Sequence, residues 1–283
     1  MSITGTSSFT MINDEVFRQL RDFIYEKTGI YVPDNKKYFL ENRLSRILRE
    51  KNLKNFEDYL YFLKYSANKN DLTRLFDAIT TNETFFFREP QQFEVFAKNI
   101  IPQVIKENTQ IGRKDIKIWS AACSTGEEPY TIAMILHDLP ELVSFKKEIY
   151  ASDISESVLM SAKRAIYGTY SVRNVPPQYM AKYFKDSGGM YVLSEVIKSM
   201  VKFLNINLID EREVKQLKGI DVVFCRNVLI YFDDKAKKKC VSLIYDVIRP
   251  KGYLFVGTSE SLHNITRAFR PIVINKVIVY QKV

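Results

Sequence analysis

Histidine and cysteine are scarce: the 283 residues include 2 of the first and 3 of the second. Cys123, Cys225 and Cys240 lack metal-ligand spacing and are too few for a disulfide framework, so they read as thiols packed in or near the core. His137 and His263 have no partner apparent in the sequence, and structural roles are expected of both. No metal site is expected. The chain also lacks the P-loop G-x-x-x-x-G-K-[ST] and the dinucleotide fingerprint G-x-G-x-x-G. No catalytic triad or dyad is recognisable, which counts against a hydrolase. No apolar run approaches the ~20 residues of a membrane span, and Met1 to Thr10 has no signal-peptide character. A cytoplasmic protein without membrane insertion is expected.

What is present suits a globular protein of one or two domains, with 46% hydrophobic and 13% aromatic residues. Lys and Arg total 42 against 33 Asp and Glu, a net charge of +9 that favours acidic partners without choosing among them.

The most informative stretch is Ile116 to Leu136, IKIWSAACSTGEEPYTIAMIL. Ile116, Ile118 and Trp119 supply a buried strand, and Ile132, Met134, Ile135 and Leu136 give the following helix an apolar surface to cover a sheet. Such strand, loop and helix units hold nucleotide-like ligands at a helix N-terminus. Small residues in the loop (Ala121, Ala122, Ser124, Gly126) allow a ligand to approach the backbone closely. Glu127 and Glu128 repel phosphate and suit a cationic ligand; alternatively they only complement the helix dipole.

A second strand, Glu148 to Ala151, ends on Ser152 and Asp153 before a helix beginning near Glu156. An acid there is placed to accept hydrogen bonds from ribose hydroxyls, which implies an adenosine ligand. A third strand, Asp221 to Cys225, ends in Arg226-Asn227, and ligands of open α/β sheets bind at that carboxyl edge.

The chain divides near residue 82. Before it, four amphipathic helical patterns form an all-α domain from about residue 9 to residue 80: Val16, Leu20, Phe23 and Ile24 stopped by Gly29; Leu40, Leu44, Ile47 and Leu48; Phe56, Tyr59, Leu60 and Leu63; Leu72, Leu75, Phe76 and Ile79. A linker over 81–90 contains three consecutive phenylalanines, too apolar for a solvated tether, and is expected to pack between the domains. A helix near Gln91 to Glu107 then leads into alternating strands and helices over 91–283, which argues for a parallel sheet. The chain closes with extended runs at Tyr253 to Gly257 and Pro271 to Val283, the latter folded about Asn275-Lys276. Between about 170 and 203 the alternation breaks: Pro176-Pro177 and Ser187-Gly188-Gly189 are turn signals, and Met190 to Leu193 can form a strand.

Five segments, in this order, resemble the chemotaxis receptor methyltransferases of the CheR family: TNETFFFRE from Thr81, WSAACSTGEEPY from Trp119, ASDI from Ala151, CRNVLIYF from Cys225 and GTSES from Gly257. The resemblance implies an α/β fold: a class I S-adenosylmethionine-dependent, Rossmann-like methyltransferase domain of about seven strands, with a small inserted β-subdomain and a preceding all-α domain. The implied activity is methylation of glutamate side chains on the cytoplasmic domains of chemoreceptors, yielding S-adenosylhomocysteine; a monomer is expected. A glutamate with a pKa near ~4.3 is already an ionised nucleophile at neutral pH, so no catalytic base is needed. By motif, Asn82, Thr84, Arg88, Glu128, Asp153, Asn207, Leu208, Arg226 and Asn227 would line the cofactor site. Arg88 and Tyr231 would orient the reacting carboxylate.

On the second helix Arg43, Arg46 and Arg49 lie away from the Leu40/Leu44/Ile47 face; they read either as a solvated surface or as a dock for acidic receptor helices. Two other functions fit the sequence less well. One is a nucleic-acid methyltransferase, with no specific nucleic acid expected because Asn227 to Tyr231 lacks paired prolines. The other is a noncatalytic sensor of S-adenosylmethionine.

Overall fold

The computed structural model describes residues 11–283, so the reading of Met1 to Thr10 and the first residues of the expected 9–80 domain lie outside it. It divides into two compact units, the first ending at Thr81 and the second spanning Asn82–Val283.

In the first unit, α1 (Asp14–Thr28), α2 (Lys37–Glu50), α3 (Phe56–Tyr65) and α4 (Lys69–Ile79) pack around Leu20, Ile24, Leu40, Leu44 and Tyr59. Asn13 and Asn55 cap α1 and α3 by accepting N–H bonds, and Asn68 with Asp71 forms a reciprocal capping box on α4. Gly29, at φ 74°, ends α1 in the left-handed region.

The second unit opens with Asn82–Glu89, then α5 (Pro90–Val95), a π-helical turn over Phe96–Ile100 and α6 (Ile101–Gln110). The single helix predicted near Gln91–Glu107 therefore carries a wide turn. Pro102 lacks the N–H that an i→i−4 ladder needs, and the Ile101 N–H bonds back to the Phe96 carbonyl instead. Next come β1 (Asp115–Ala121), α7 (Glu127–Asp138), β2 (Lys146–Asp153) and α8 (Glu156–Arg164). The interrupted region follows as β3 (Ile166–Gly168), α9 (Thr169–Val172), α10 (Pro177–Tyr183), β4 (Phe184–Ser187), β5 (Met190–Leu193) and α11 (Glu195–Lys198). β6 (Val201–Asn205), α12 (Glu211–Val214), β7 (Ile220–Cys225), α13 (Asp234–Val247), β8 (Ile248–Val256), β9 (Phe269–Ile274) and β10 (Val277–Lys282) complete the chain.

Seven strands form one sheet in the order β6-β2-β1-β7-β8-β10-β9. The first five are parallel, and β10 runs antiparallel to β8 and β9. Asn275 and Lys276, both at positive φ, make the tight β9–β10 turn. A separate antiparallel sheet, β3-β5-β4, turns at Gly188-Gly189; it starts at Ile166, ahead of the expected 170, and β6 at the far end belongs to the main sheet.

Tyr130 through Leu136 are all buried, so α7 is covered on every side instead of presenting one apolar stripe. Phe86 and Phe87 belong to the same core, so this part of the linker packs within the second unit. All three cysteines are buried as free thiols. Among the described residues no helix is long and apolar enough to cross a membrane.

Candidate functional site

Strand register brings the expected site residues to one edge. Ala121 of β1 is level with Ser152 of β2 and Cys225 of β7; Ser152 is level with Leu204 of β6, and Cys225 with Val256 of β8. One residue further along each chain lie Ala122, Asp153, Asn205, Arg226 and Gly257. Strand order reverses on either side of β1, so the loops after β1 and β7 diverge there and leave a crevice at the carboxyl edge.

Backbone strain concentrates at this edge. Phe87, Glu89, Ala122, Ser124 and Asn227 all have positive φ although none is glycine, a cost of order 1–3 kcal/mol each that surrounding contacts must offset. In the β1–α7 loop the Cys123 N–H donates to the Ser152 carbonyl at 2.8 Å. The Ser124 N–H donates to Asp153 Oδ2 at 2.9 Å, and the Ser155 N–H to Asp153 Oδ1 at 3.0 Å. Asp153 is thus buried as the brace of the loop. Gly126, at φ 94°, cannot be replaced cheaply: a Cβ there would lie 2.9 Å from that of Ala162.

The two glutamates that open α7 differ. Glu127 accepts hydrogen bonds from Thr125 and Ser171 at 2.7 and 2.9 Å, and burial raises its pKa. Glu128 accepts from Ser120 and Arg226, both at 2.8 Å; burial raises its pKa too, and Arg226 offsets part of the rise. Both do more than complement the helix end.

Arg226 is the hub of the edge. Its guanidinium pairs with Glu128 at 2.8 Å and Glu89 at 3.1 Å, donates to the Arg88 carbonyl at 2.6 Å, and lies 5.1 Å from the centre of the Phe93 ring. Its buried Nε has no hydrogen-bond partner. Burial pushes the Glu89 pKa up, but Arg226, Asn227 and the Thr258 N–H outweigh that and hold it below the ordinary value.

The segment Asn82–Glu89 is pinned at several further points. Ser124 Oγ donates to the Asn82 carbonyl, the Phe86 N–H to the Ser171 carbonyl, and the Phe87 N–H to Thr131 Oγ1. Thr84 and Arg88 are half-buried within it, and Arg88 Nη1 donates to the Glu83 carbonyl at 3.0 Å. Asn207 and Leu208 follow β6; Leu208 is buried, and Asn207 Oδ1 accepts the Ile209 N–H. Asn227 and half-buried Tyr231 follow β7.

Sequence reasoning missed two carboxylates here. Glu260 Oε2 accepts the N–H groups of Asn227 and Gly257 at 2.8 and 2.7 Å, and its Oε1 accepts that of Ile230 at 3.2 Å. Gly257 is required beneath it, because a Cβ would meet Asn227 Nδ2 at 2.6 Å. The GTSES motif was the available signal for Glu260, and TNETFFFRE for Glu89.

In the first unit Arg43, Arg46 and Arg49 are all exposed on α2. Arg43 donates to the Thr80 carbonyl at 3.2 Å and lies over Phe39, while Arg46 pairs with Glu50 at 2.7 Å.

Two family models match this chain: the CheR methyltransferase all-alpha domain over 15–80 and the CheR methyltransferase SAM binding domain over 82–278. The chain is similar to chemotaxis protein methyltransferase 2 of Vibrio cholerae, with 37% identity covering 92% of this chain and 90% of that one. It is similar to the chemotaxis protein methyltransferase of Borreliella burgdorferi, with 38% identity covering 90% of each. Chemotaxis protein methyltransferase 1 of Pseudomonas aeruginosa is 34% identical over 94% of this chain and 97% of its own length. These matches favour neither a nucleic-acid methyltransferase nor a noncatalytic sensor. The chain belongs to the CheR methyltransferase family, and S-adenosylmethionine is its cofactor.

Proposed function

We propose that this protein methylates glutamate side chains on the cytoplasmic domains of chemoreceptors, acting in the cytoplasm and producing carboxyl methyl esters. The supporting observation is the crevice edge itself, where Arg88 is held by its own carbonyl to Arg226 and Tyr231 follows the same strand.

The residues present fit S-adenosylmethionine. Asp153 puts a carboxylate, an acceptor for ribose hydroxyls, at the end of β2; the loop from Ala121 to Gly126 is small enough for close approach, and Arg226 Nε is a buried donor without a partner. Asn82, Thr84, Arg88 and Glu128 would hold the cofactor from the linker and α7; Asn207, Leu208, Arg226 and Asn227 would hold it from the ends of β6 and β7. When bound, the cofactor supplies an electrophilic methyl group on a sulfonium.

The chain's own residues do the rest. Arg88 pairs with the incoming carboxylate, and the Tyr231 hydroxyl donates a hydrogen bond to it, so one oxygen is aimed at the methyl group. Neither residue takes up a proton, since the nucleophile arrives ionised. In the first unit, Arg43, Arg46 and Arg49 would dock acidic receptor helices.

Incubation with labelled S-adenosylmethionine and a receptor cytoplasmic domain, followed by alkali, tests the reading. Labelled methanol is expected, because base cleaves carboxyl esters and leaves methylated amines intact. Arg88→Ala should lower turnover far more than it lowers stability. Label that survives alkali on the receptor, or wild-type turnover in Arg88→Ala, would overturn the assignment.

A further inference from the structure

Two guanidiniums meet one phenylalanine ring beside the crevice. Arg173 lies 3.6 Å from the centre of the Phe85 ring and 3.6 Å from that of Tyr170, in the corner these two rings form at 80° to each other, while Arg88 lies 5.8 Å from the same Phe85 ring. The Tyr170 hydroxyl donates to Glu83 Oε1 at 2.8 Å, and the Glu83 carbonyl accepts from Arg88 at 3.0 Å. Arg173 therefore holds the Phe85 ring beside Arg88, and Tyr170 holds the side chain of Glu83, the residue whose carbonyl accepts from Arg88.

The grip comes from elsewhere in the chain. Tyr170 and Arg173 belong to the stretch that leaves β3 of the small sheet through α9, and the Ser171 carbonyl between them accepts the Phe86 N–H at 2.9 Å. Folding does not require this contact: the hydrophobic anchoring of the linker is done by buried Phe86 and Phe87, whereas Tyr170 is 56% exposed. An exposed guanidinium against two aromatic rings adds little stability. It does restrict where Phe85 and Glu83 sit. A planar guanidinium has both a face and an N–H edge to offer two rings set nearly at right angles, and a lysine ammonium has not.

We propose that Arg173 is a positioning residue for methyl transfer: by clamping Phe85 against Tyr170 it fixes the orientation of Arg88. The proposal rests on the reading of Arg88 as the group that aims the substrate carboxylate. It couples the small-sheet segment to the reacting centre, and it needs no contact between Arg173 and substrate.

Kinetics of the full chain with a receptor cytoplasmic domain test it, alongside calorimetric binding of S-adenosylmethionine and thermal unfolding. Arg173→Ala is expected to lower kcat about tenfold, the scale of a sub-ångström misplacement. Cofactor affinity should stay within about twofold, and Arg173→Lys should fail to rescue turnover because it keeps the charge and loses the planar group that meets both rings. In an Arg88→Lys background, Arg173→Ala should cost at most about twofold more, since its effect runs through Arg88. Unchanged kcat in Arg173→Ala, full rescue by lysine, an equal loss in both backgrounds, or a parallel collapse of cofactor affinity would each overturn the clamp. Normal turnover in both Arg88→Lys and Arg88→Ala would instead remove the underlying reading of Arg88.

Discussion

Arg226 at the end of β7 and Glu128 in the first turn of α7 are joined at 2.8 Å, with the arginine side chain 2% exposed. The same guanidinium holds Glu89 and the Arg88 carbonyl, so one buried cation ties the sheet edge to two carboxylates and to the segment before α5. A buried pair adds little net stability relative to apolar packing, but removing one partner leaves the others desolvated and unmatched. Arg226→Ala is accordingly expected to cost about 3–5 kcal/mol and to release the Asn82–Glu89 segment. Urea unfolding measures the first and proteolysis near Arg88 the second. A loss below about 1 kcal/mol would mean that water replaces the guanidinium without difficulty.

Asp153 has two tasks in this structure, and they can be separated. Its Oδ2 accepts the Ser124 N–H, which holds the β1–α7 loop in its positive-φ path, and its Oδ1 accepts the Ser155 N–H at the start of α8. Asp153→Ala removes both acceptors and is expected to weaken cofactor binding by about 1–3 kcal/mol. Asp153→Asn keeps one carbonyl acceptor, so it should retain more of the loop while losing the charge-assisted bonds to ribose. Calorimetry on both folded variants checks this; wild-type affinity in Asp153→Ala would withdraw the assignment.

How far the sequence could be read followed the range of each interaction. The β1–loop–α7 unit, Asp153 at the end of β2 and Arg226 at the end of β7 were legible because apolar runs end on polar residues at sheet level, a local pattern. The hairpin at Asn275-Lys276 was legible from its turn chemistry. Glu89 and Glu260 were not, because Asn227, which bonds both, lies 138 and 33 residues away from them. The Arg173 clamp was equally hidden, since Tyr170 reaches Glu83 across 87 residues. Tyr130 to Leu136 reads as one apolar stripe only until the inserted segment is known to cover its other side.

Glu89 and Glu127 predict opposite pH slopes. The native pKa of Glu89 is depressed, so its pairing contributes fully above the unfolded value of about 4.3 and is lost as pH falls through the lower native value. Burial raises that of Glu127, so the native state holds its proton more tightly, and stability declines as pH climbs from about 4.3 through the raised value. Glu89→Gln should thus be less stable than wild type at neutral pH, with the gap closing in acid. Glu127→Gln should gain on wild type as pH rises across that window. Urea unfolding at stepped pH reads both, and parallel curves for either variant would remove its sign.

The arginines of α2 give the last prediction, and the structure sharpens it. Arg43 is tied to the Thr80 carbonyl and to Phe39, so its replacement also loosens the end of α4, whereas Arg46 pairs with Glu50 within α2 and Arg49 is exposed on the same helix. If the face docks acidic receptor helices, Arg46→Glu with Arg49→Glu turns attraction into repulsion; the receptor concentration needed for half-maximal methylation should rise severalfold at low salt. Raising the ionic strength screens exposed charges and should shrink the difference. Adding Arg43→Glu should deepen the effect and also lower the unfolding temperature, a loss the double variant should not share. Cofactor affinity, measured in parallel, should hold in the double variant. Equal receptor dependence for wild type and double variant at low salt would return the three arginines to an ordinary solvated face, and a salt-independent loss would point to damage in α2 instead of a broken encounter.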